Sequence, residues 1–202
     1  MNYGKVEILN KQSCHEGFFR LDEYRLRHAL FKGGMSQPIK RELFERGHAV
    51  ALLPYDPVRD ELVLIEQFRI GALHDPQGPW LTEIVAGIIE ADETAEQVAR
   101  REAREEAGCV VQAVIPIMNY FVSPGGTSET IALFCGKVDT TKVAEGIFGL
   151  DEEHEDIRVL KVSFNEALTW LATGRINSAA PIIALQWLAM HKDEVKRQWR
   201  ER

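Results

Sequence analysis

Between Gly87 and Gly108 the chain reads Gly87-Ile-Ile-Glu-Ala-Asp-Glu93-Thr-Ala-Glu-Gln-Val-Ala-Arg-Arg101-Glu102-Ala-Arg-Glu105-Glu106-Ala-Gly108. Thr94 followed by Gln97 is a capping-box pattern and predicts a helix start near 92–94. Gly108 predicts its end. Ala95, Val98, Ala99 and Ala103 form an apolar stripe small enough to approach a sheet closely. On another face Glu102 and Glu106 lie one turn apart, with Glu105 beside them, so three carboxylates crowd together. Like charges so placed cost a helix about 0.2–0.5 kcal/mol per pair. A chain that keeps them needs a cation there, and hard oxygen donors suit Mg²⁺ or Mn²⁺. Arg101, one turn before Glu105, is placed to pair with it and orient it.

The rest of the chain sets bounds on this reading. Its 202 residues make one large domain, or one domain with a small one attached. Apolar residues at 45% suffice for a core, and 27% charged residues with 8 Pro argue against disorder. The net charge of −7 disfavours nucleic-acid binding, so an anionic substrate needs local cations. Cys14, Cys109 and Cys135 form no C-x-x-C, which fits a reducing, cytoplasmic compartment without a zinc or disulfide framework. The first residues lack the apolar segment of a secretion signal, and no apolar run suggests a membrane span. The histidines, His28, His48 and His74 among them, show no metal-ligand spacing.

Residues 5–46 read as β-rich. Tyr24, Leu26, His28 and Leu30 alternate with Arg25, Arg27 and Ala29, Lys32-Gly33-Gly34 turns, and a second strand runs through Ile39, Arg41 and Leu43. So small a sheet needs a partner surface. From 47 onward, the apolar run Ala49–Pro54, a turn over 56–60 and a strand over 61–67 predict a hairpin. A single strand is expected over 80–88, further strands near 110–122, 130–138 and 157–163, and helices over 164–173 and 179–197. The basic end, 192–202, reads as a solvated helix terminus. The fold class is therefore α+β, helices on a mixed sheet, with domains at 1–46 and 47–202.

The run 87–108 has the form G-x5-E-x7-R-E-x-x-E-E-x-G. Seven fixed residue types match by chance at a given position with a probability on the order of one in 10⁸. The chain thus resembles the Nudix hydrolases, with Ala103 and Cys109 at the two aliphatic box positions. The resemblance extends over Gly17-Phe-Phe, Arg41 to His48 and Ser123-Pro124-Gly-Gly-Thr-Ser-Glu129. Pro124, fifteen residues after Cys109, marks the subgroup acting on ADP-ribose. The resemblance implies an α/β/α sandwich with a mixed sheet, preceded by a small antiparallel sheet. It implies two or three Mg²⁺ per site, with Mn²⁺ able to substitute, held by Glu102, Glu106, Glu155 and the carbonyl of Ala86. It implies attack by an activated water on the diphosphate of ADP-ribose, giving AMP and ribose 5-phosphate. In the acidic stretch Asp151–Asp156, Glu153 falls on the catalytic base, Glu152 remains the alternative, and Glu105 with Arg101 supports the catalytic face. Phe18, Phe19, Arg41 and Glu42 fall on an adenosine site contributed by the other subunit of a swapped homodimer. Arg46, Arg69, Ile88 and Glu129 complete the substrate contacts.

Two other readings stay open. The same machinery would hydrolyse another nucleoside diphosphate sugar, such as a GDP-sugar. A non-catalytic ligand sensor of the same fold is a reading of a different class, but the box keeps all its charged positions and 46 residues leave little room for an added DNA-binding domain. No D-x-D-x-D-G loop supports a structural Ca²⁺ site.

Overall fold

The first part of the chain forms three strands, β1 (Val6–Glu16), β2 (Arg20–His28) and β3 (Ile39–Glu45). They form an antiparallel meander in chain order. The computed structural model describes residues 4–200. The sequence pattern shows β2 and β3 but hides β1. Its register slips between Ile8 and Asn10 and between Ser13 and His15, so no single period-2 pattern runs through it. All eleven residues of β1 are exposed.

The remaining elements are β4 (Ala49–Asp56), β5 (Glu61–Phe68), β6 (Trp80–Glu83), β7 (Val85–Ile88), α1 (Ala95–Glu105), β8 (Ala113–Phe121), β9 (Thr130–Lys137), β10 (Gly146–Phe148), β11 (Ile157–Ser163), α2 (Phe164–Ala172) and α3 (Ala179–Arg200). The chain divides into two compact units. One holds Met1–His48 with Phe121–Thr130; the other holds Ala49–Tyr120 with Ile131–Arg202.

The large unit is built on an eight-stranded sheet in the order β10-β11-β5-β4-β9-β8, with β6 added on β5 and β7 on β4. The sheet is mixed: β4 and β9 run parallel, whereas β4–β5 and β5–β11 are antiparallel. The predicted strand over 80–88 is two strands. β4 and β5 pair only beside their turn, at Tyr55–Leu62 and Asp56–Glu61. Beyond it, the segment first pairs with β5 through β6, then with β4 through β7. The short β10 is invisible in the sequence pattern, since three residues carry no readable period.

Both faces of this sheet are covered. Leu53, Tyr55, Leu62 and Leu64 face one core with Phe164, Ala167, Leu185 and Trp199 of α2 and α3. Val50, Leu52, Val63 and Ile65 face the other with Val98, Ala99 and Ala103 of α1. The chain is therefore an α/β/α sandwich, and Ala49–Pro54 reads as a continuous apolar run because its strand is buried on both sides. The basic end of α3 is not merely solvated. Lys192 and Lys196 pair with Asp60 at 2.9 and 3.1 Å, and Lys137 donates to the Trp199 carbonyl at 3.0 Å. Residues 201–202 lie outside the described residues.

Leu64 is fully buried in the core under α2 and α3. Leu64→Ala is expected to lower unfolding free energy by about 2–5 kcal/mol. Urea denaturation reads this directly, and a loss below about 1 kcal/mol would show that this face is not closely packed.

Candidate active site

The box helix α1 is set by its cap. Thr94 Oγ1 accepts the Gln97 N–H at 3.3 Å, and Gln97 Oε1 accepts the Thr94 N–H at 2.9 Å. Such a cap contributes about 1 kcal/mol and fixes where the helix begins. The last turn is closed by Gly108 N–H to Arg104 O and Cys109 N–H to Ala103 O, with Gly108 at φ +58°. Val98, Ala99 and Ala103 then lie against the sheet, and the carboxylates fall beside β7.

Glu106 is 2% exposed, and one carboxylate oxygen accepts the Ala86 N–H at 2.9 Å. Burial pushes its carboxyl up to about 8, and the charges of Glu102 and Glu155 add to the shift. Burial likewise pushes Glu102 up to about 7; Arg101 opposes this, while Glu105, Glu155 and Glu153 reinforce it. Glu153 is thus among the charges felt by Glu102. Arg101 bridges three carboxylates: Glu102 and Glu105, each at 2.9 Å, and Glu93 at 3.3 Å. Burial works against its charge, but these partners outweigh it and hold its pKa above the ordinary value. The first box glycine has a steric cause. A Cβ on Gly87 would overlap the Glu102 carboxylate, so only glycine lets that side chain lie against the strand.

Among the described residues, no group of three or more His, Cys, Asp or Glu side chains is arranged so that it could already hold a metal ion. The donor chemistry nonetheless fits a hard divalent cation. Glu106 is a buried and Glu102 a half-buried oxygen donor; burial and neighbouring carboxylates disfavour their ionised forms, and a cation would relieve both. Glu155 Oε2 accepts the Leu150 N–H at 3.1 Å, so the acidic loop holds it as an internal partner.

Arg69, a predicted substrate residue, is fixed by Glu83 at 2.7 Å. Gln67 also donates to Glu83, at 3.4 Å. The sequence does not mark Glu83, since a lone Glu in a strand carries no motif. Ile88 ends β7, partly exposed.

The other predicted contacts lie in the small unit. Phe18 and Phe19 sit edge to face at 4.7 Å, and Phe19 meets Phe44 in the same way at 5.2 Å. Arg46 lies over the Phe19 ring and pairs with Glu129 at 3.4 Å. The loop carrying Glu129 is bound to β3 by Phe44 N–H to Gly126 O at 2.8 Å and by a Ser128–Glu45 hydrogen bond. Phe18, Phe19, Arg46 and Glu129 are therefore one cluster, with Phe44 as the member the sequence did not reveal. Arg41 and Glu42 are neighbours on β3 and so point to opposite faces. Arg41 is exposed and donates to the Lys40 carbonyl. His48 bonds Thr130, which makes it structural.

A family pattern, the NUDIX domain, matches residues 45–185. The chain belongs to the Nudix family. It is 53% identical over 201 residues to an ADP-ribose pyrophosphatase of Escherichia coli, covering 98% of this chain and 96% of that protein. It is 31% identical over 189 residues to a GDP-mannose pyrophosphatase of Yersinia enterocolitica, covering 93% and 96%. A crystal structure described as an ADP compounds hydrolase superposes with a TM-score of 0.67 at 19% identity, over 93% of this chain and 96% of that one, a likeness of fold. Within this Nudix chain, the box supplies one helix face, and the acidic loop brings further carboxylates to it.

The raised carboxyls fix the sign of a pH effect. A folded-state pKa above the ordinary value contributes stability at low pH that is lost as pH rises through the folded-state value. For Glu102 and Glu106 the loss falls between the ordinary carboxylate range and about 7 to 8. Metal-free Glu106→Gln is therefore expected to gain several degrees of Tm over wild type at about pH 8.5, with a smaller gain at about pH 5. Saturating Mg²⁺ should reverse the order at the higher pH, because only the wild type keeps both donors. Parallel Tm–pH curves, with or without Mg²⁺, would refute this account of the cluster.

Proposed function

We propose that this chain hydrolyses ADP-ribose to AMP and ribose 5-phosphate in a Mg²⁺-dependent reaction. The observation that carries the reading is the convergence of Glu106, buried, and Glu102, half-buried, both pushed up, with Glu155 of the acidic loop acting on both and Glu153 on Glu102. Nucleoside diphosphate hydrolysis follows from the family. ADP-ribose is favoured by 53% identity over nearly the whole chain to a protein named for that substrate, against 31% to one named for GDP-mannose.

In this reading Glu102, Glu106, Glu155 and the Ala86 carbonyl hold Mg²⁺, with Mn²⁺ as a substitute. When bound, the ions neutralise charge on the diphosphate and lower the pKa of water. The chain's own groups do the rest. Glu153 takes the proton from the attacking water. Arg101 keeps Glu105 and Glu102 in place, and Glu83 holds Arg69 where its guanidinium can meet a phosphate. Phe18 and Phe19 offer faces for adenine, and Arg41, Glu42, Arg46, Ile88 and Glu129 serve the rest of the substrate.

We further propose that the N-terminal domain, 1–46, dimerises the protein and is swapped, so that a second copy supplies the adenosine contacts. Support comes from β1, eleven residues exposed on a three-stranded sheet that is marginal alone. The absence of any cysteine pair among the described residues supports a reducing, cytoplasmic setting. No helix among them is long and apolar enough to cross a membrane.

The test is release of AMP and ribose 5-phosphate from ADP-ribose with Mg²⁺, beside GDP-mannose and other nucleoside diphosphate sugars, with EDTA and Glu106→Gln as controls. ADP-ribose should be cleaved fastest, and only with metal. Glu153→Gln should lower kcat by orders of magnitude and leave substrate binding in place. A preference for GDP-mannose would keep the chemistry and overturn the adenosine site; no cleavage at all would favour a ligand sensor.

A further inference from the structure

We propose that Phe148 is a positioning residue that sets the acidic loop against the box helix, and that Gly108 must be glycine partly to receive its ring. The proposal rests on the reading of Glu153 as a base in that loop. Residues 149–156 form a self-bonded turn. Leu150 O accepts the N–H groups of Glu153 and Glu155, His154 N–H reaches Asp151 O, and Leu150 N–H reaches the Glu155 carboxylate. A turn that satisfies itself this fully moves as one piece, so its position depends on its attachments.

On the side of α1, two attachments stand out. Gly149 N–H donates to Glu105 O at 3.3 Å, a long bond. Phe148 packs into the core shared with α1 and lies against Gly108, where a Cβ would meet its ring at 2.8 Å. Phe148 also pairs with Ile157, closing the β10–β11 hairpin that carries the loop. The φ of +58° at Gly108 alone would admit Asn, but a Cβ there would displace the Phe148 ring from its present seat. The end of the box helix and the start of the acidic loop are thus joined by one aromatic contact and one long hydrogen bond, and a change of about 1 Å at the aromatic contact would move Glu153 away from productive geometry.

The test combines kinetics with hydrogen exchange on Phe148→Ala and on Phe148→Leu, which keeps an apolar side chain if the smaller residue impairs folding. Turnover of the best diphosphate substrate with Mg²⁺ should fall at least ~10-fold in kcat with KM within ~2-fold. In a Glu153→Gln background the same change should cost little more, because it acts through Glu153. Exchange of the 149–156 amides should speed up while that of α1 stays unchanged. An equal further loss in the Glu153→Gln background, or unaltered kcat, would overturn the proposal. If the wild type cleaves nothing, the functional reading fails, and the exchange experiment still decides: unchanged loop protection in both variants overturns the placement by Phe148.

Discussion

The structure around the box depends on one unfavourable interaction, the mutual repulsion of carboxylates held out of water. Glu106 is almost fully buried and Glu102 half-buried, and neighbouring carboxylates make each harder to ionise, Glu102 and Glu155 for Glu106 and Glu105, Glu155 and Glu153 for Glu102. Burial of a charge is tolerated only when something compensates it. Arg101 does so for Glu93, Glu102 and Glu105. Glu106 has the Ala86 N–H and the more distant influence of Arg69. The fold around these groups is apolar and close: small residues of α1 on one side, and β7 on the other. The scaffold therefore holds these charges close together instead of letting them separate.

Much of this was legible in the sequence because the box states its own geometry. The Thr94–Gln97 cap, the helix stripe and the pairing of Arg101 with Glu105 all follow from spacing, and each has its counterpart in the structure. The turn over 56–60 was legible too, since Asp56 accepts the N–H groups of Val58 and Arg59 as such residues do in turns. What was not legible depends on tertiary choice. The split of 80–88 into β6 and β7 follows from the divergence of β4 from β5, which no local pattern encodes. Strand β1 hides behind two register slips. Glu83 and Phe44 belong to no motif and matter only through what they touch.

The small unit shows how a loop distant in sequence joins a sheet. Phe121–Thr130 follows β8, yet it is bonded to β3 through Phe44, Glu45 and Arg46. The aromatic pair Phe18–Phe19 has two roles in one cluster. Phe19 is half-buried between Phe44 and Arg46, while Phe18 is 88% exposed. An exposed ring braced by a second ring is rigid apolar surface, the form of side chain suited to stacking on a base.

The two glycines that bound the box have the same kind of explanation, although they lie twenty-one residues apart. Gly87 leaves room for the carboxylate of Glu102, and Gly108 leaves room for the ring of Phe148. One clears the strand for a carboxylate of the box; the other clears the helix end for the residue that precedes the acidic loop. A spacing that reads as a signature is, at this level, a record of two close approaches to backbone, one on each side of the charged helix face. The signature contains only the first partner, Glu102. The second, Phe148, lies forty residues downstream in a three-residue strand, and it becomes visible only once the hairpin of β10 and β11 has been folded back onto α1.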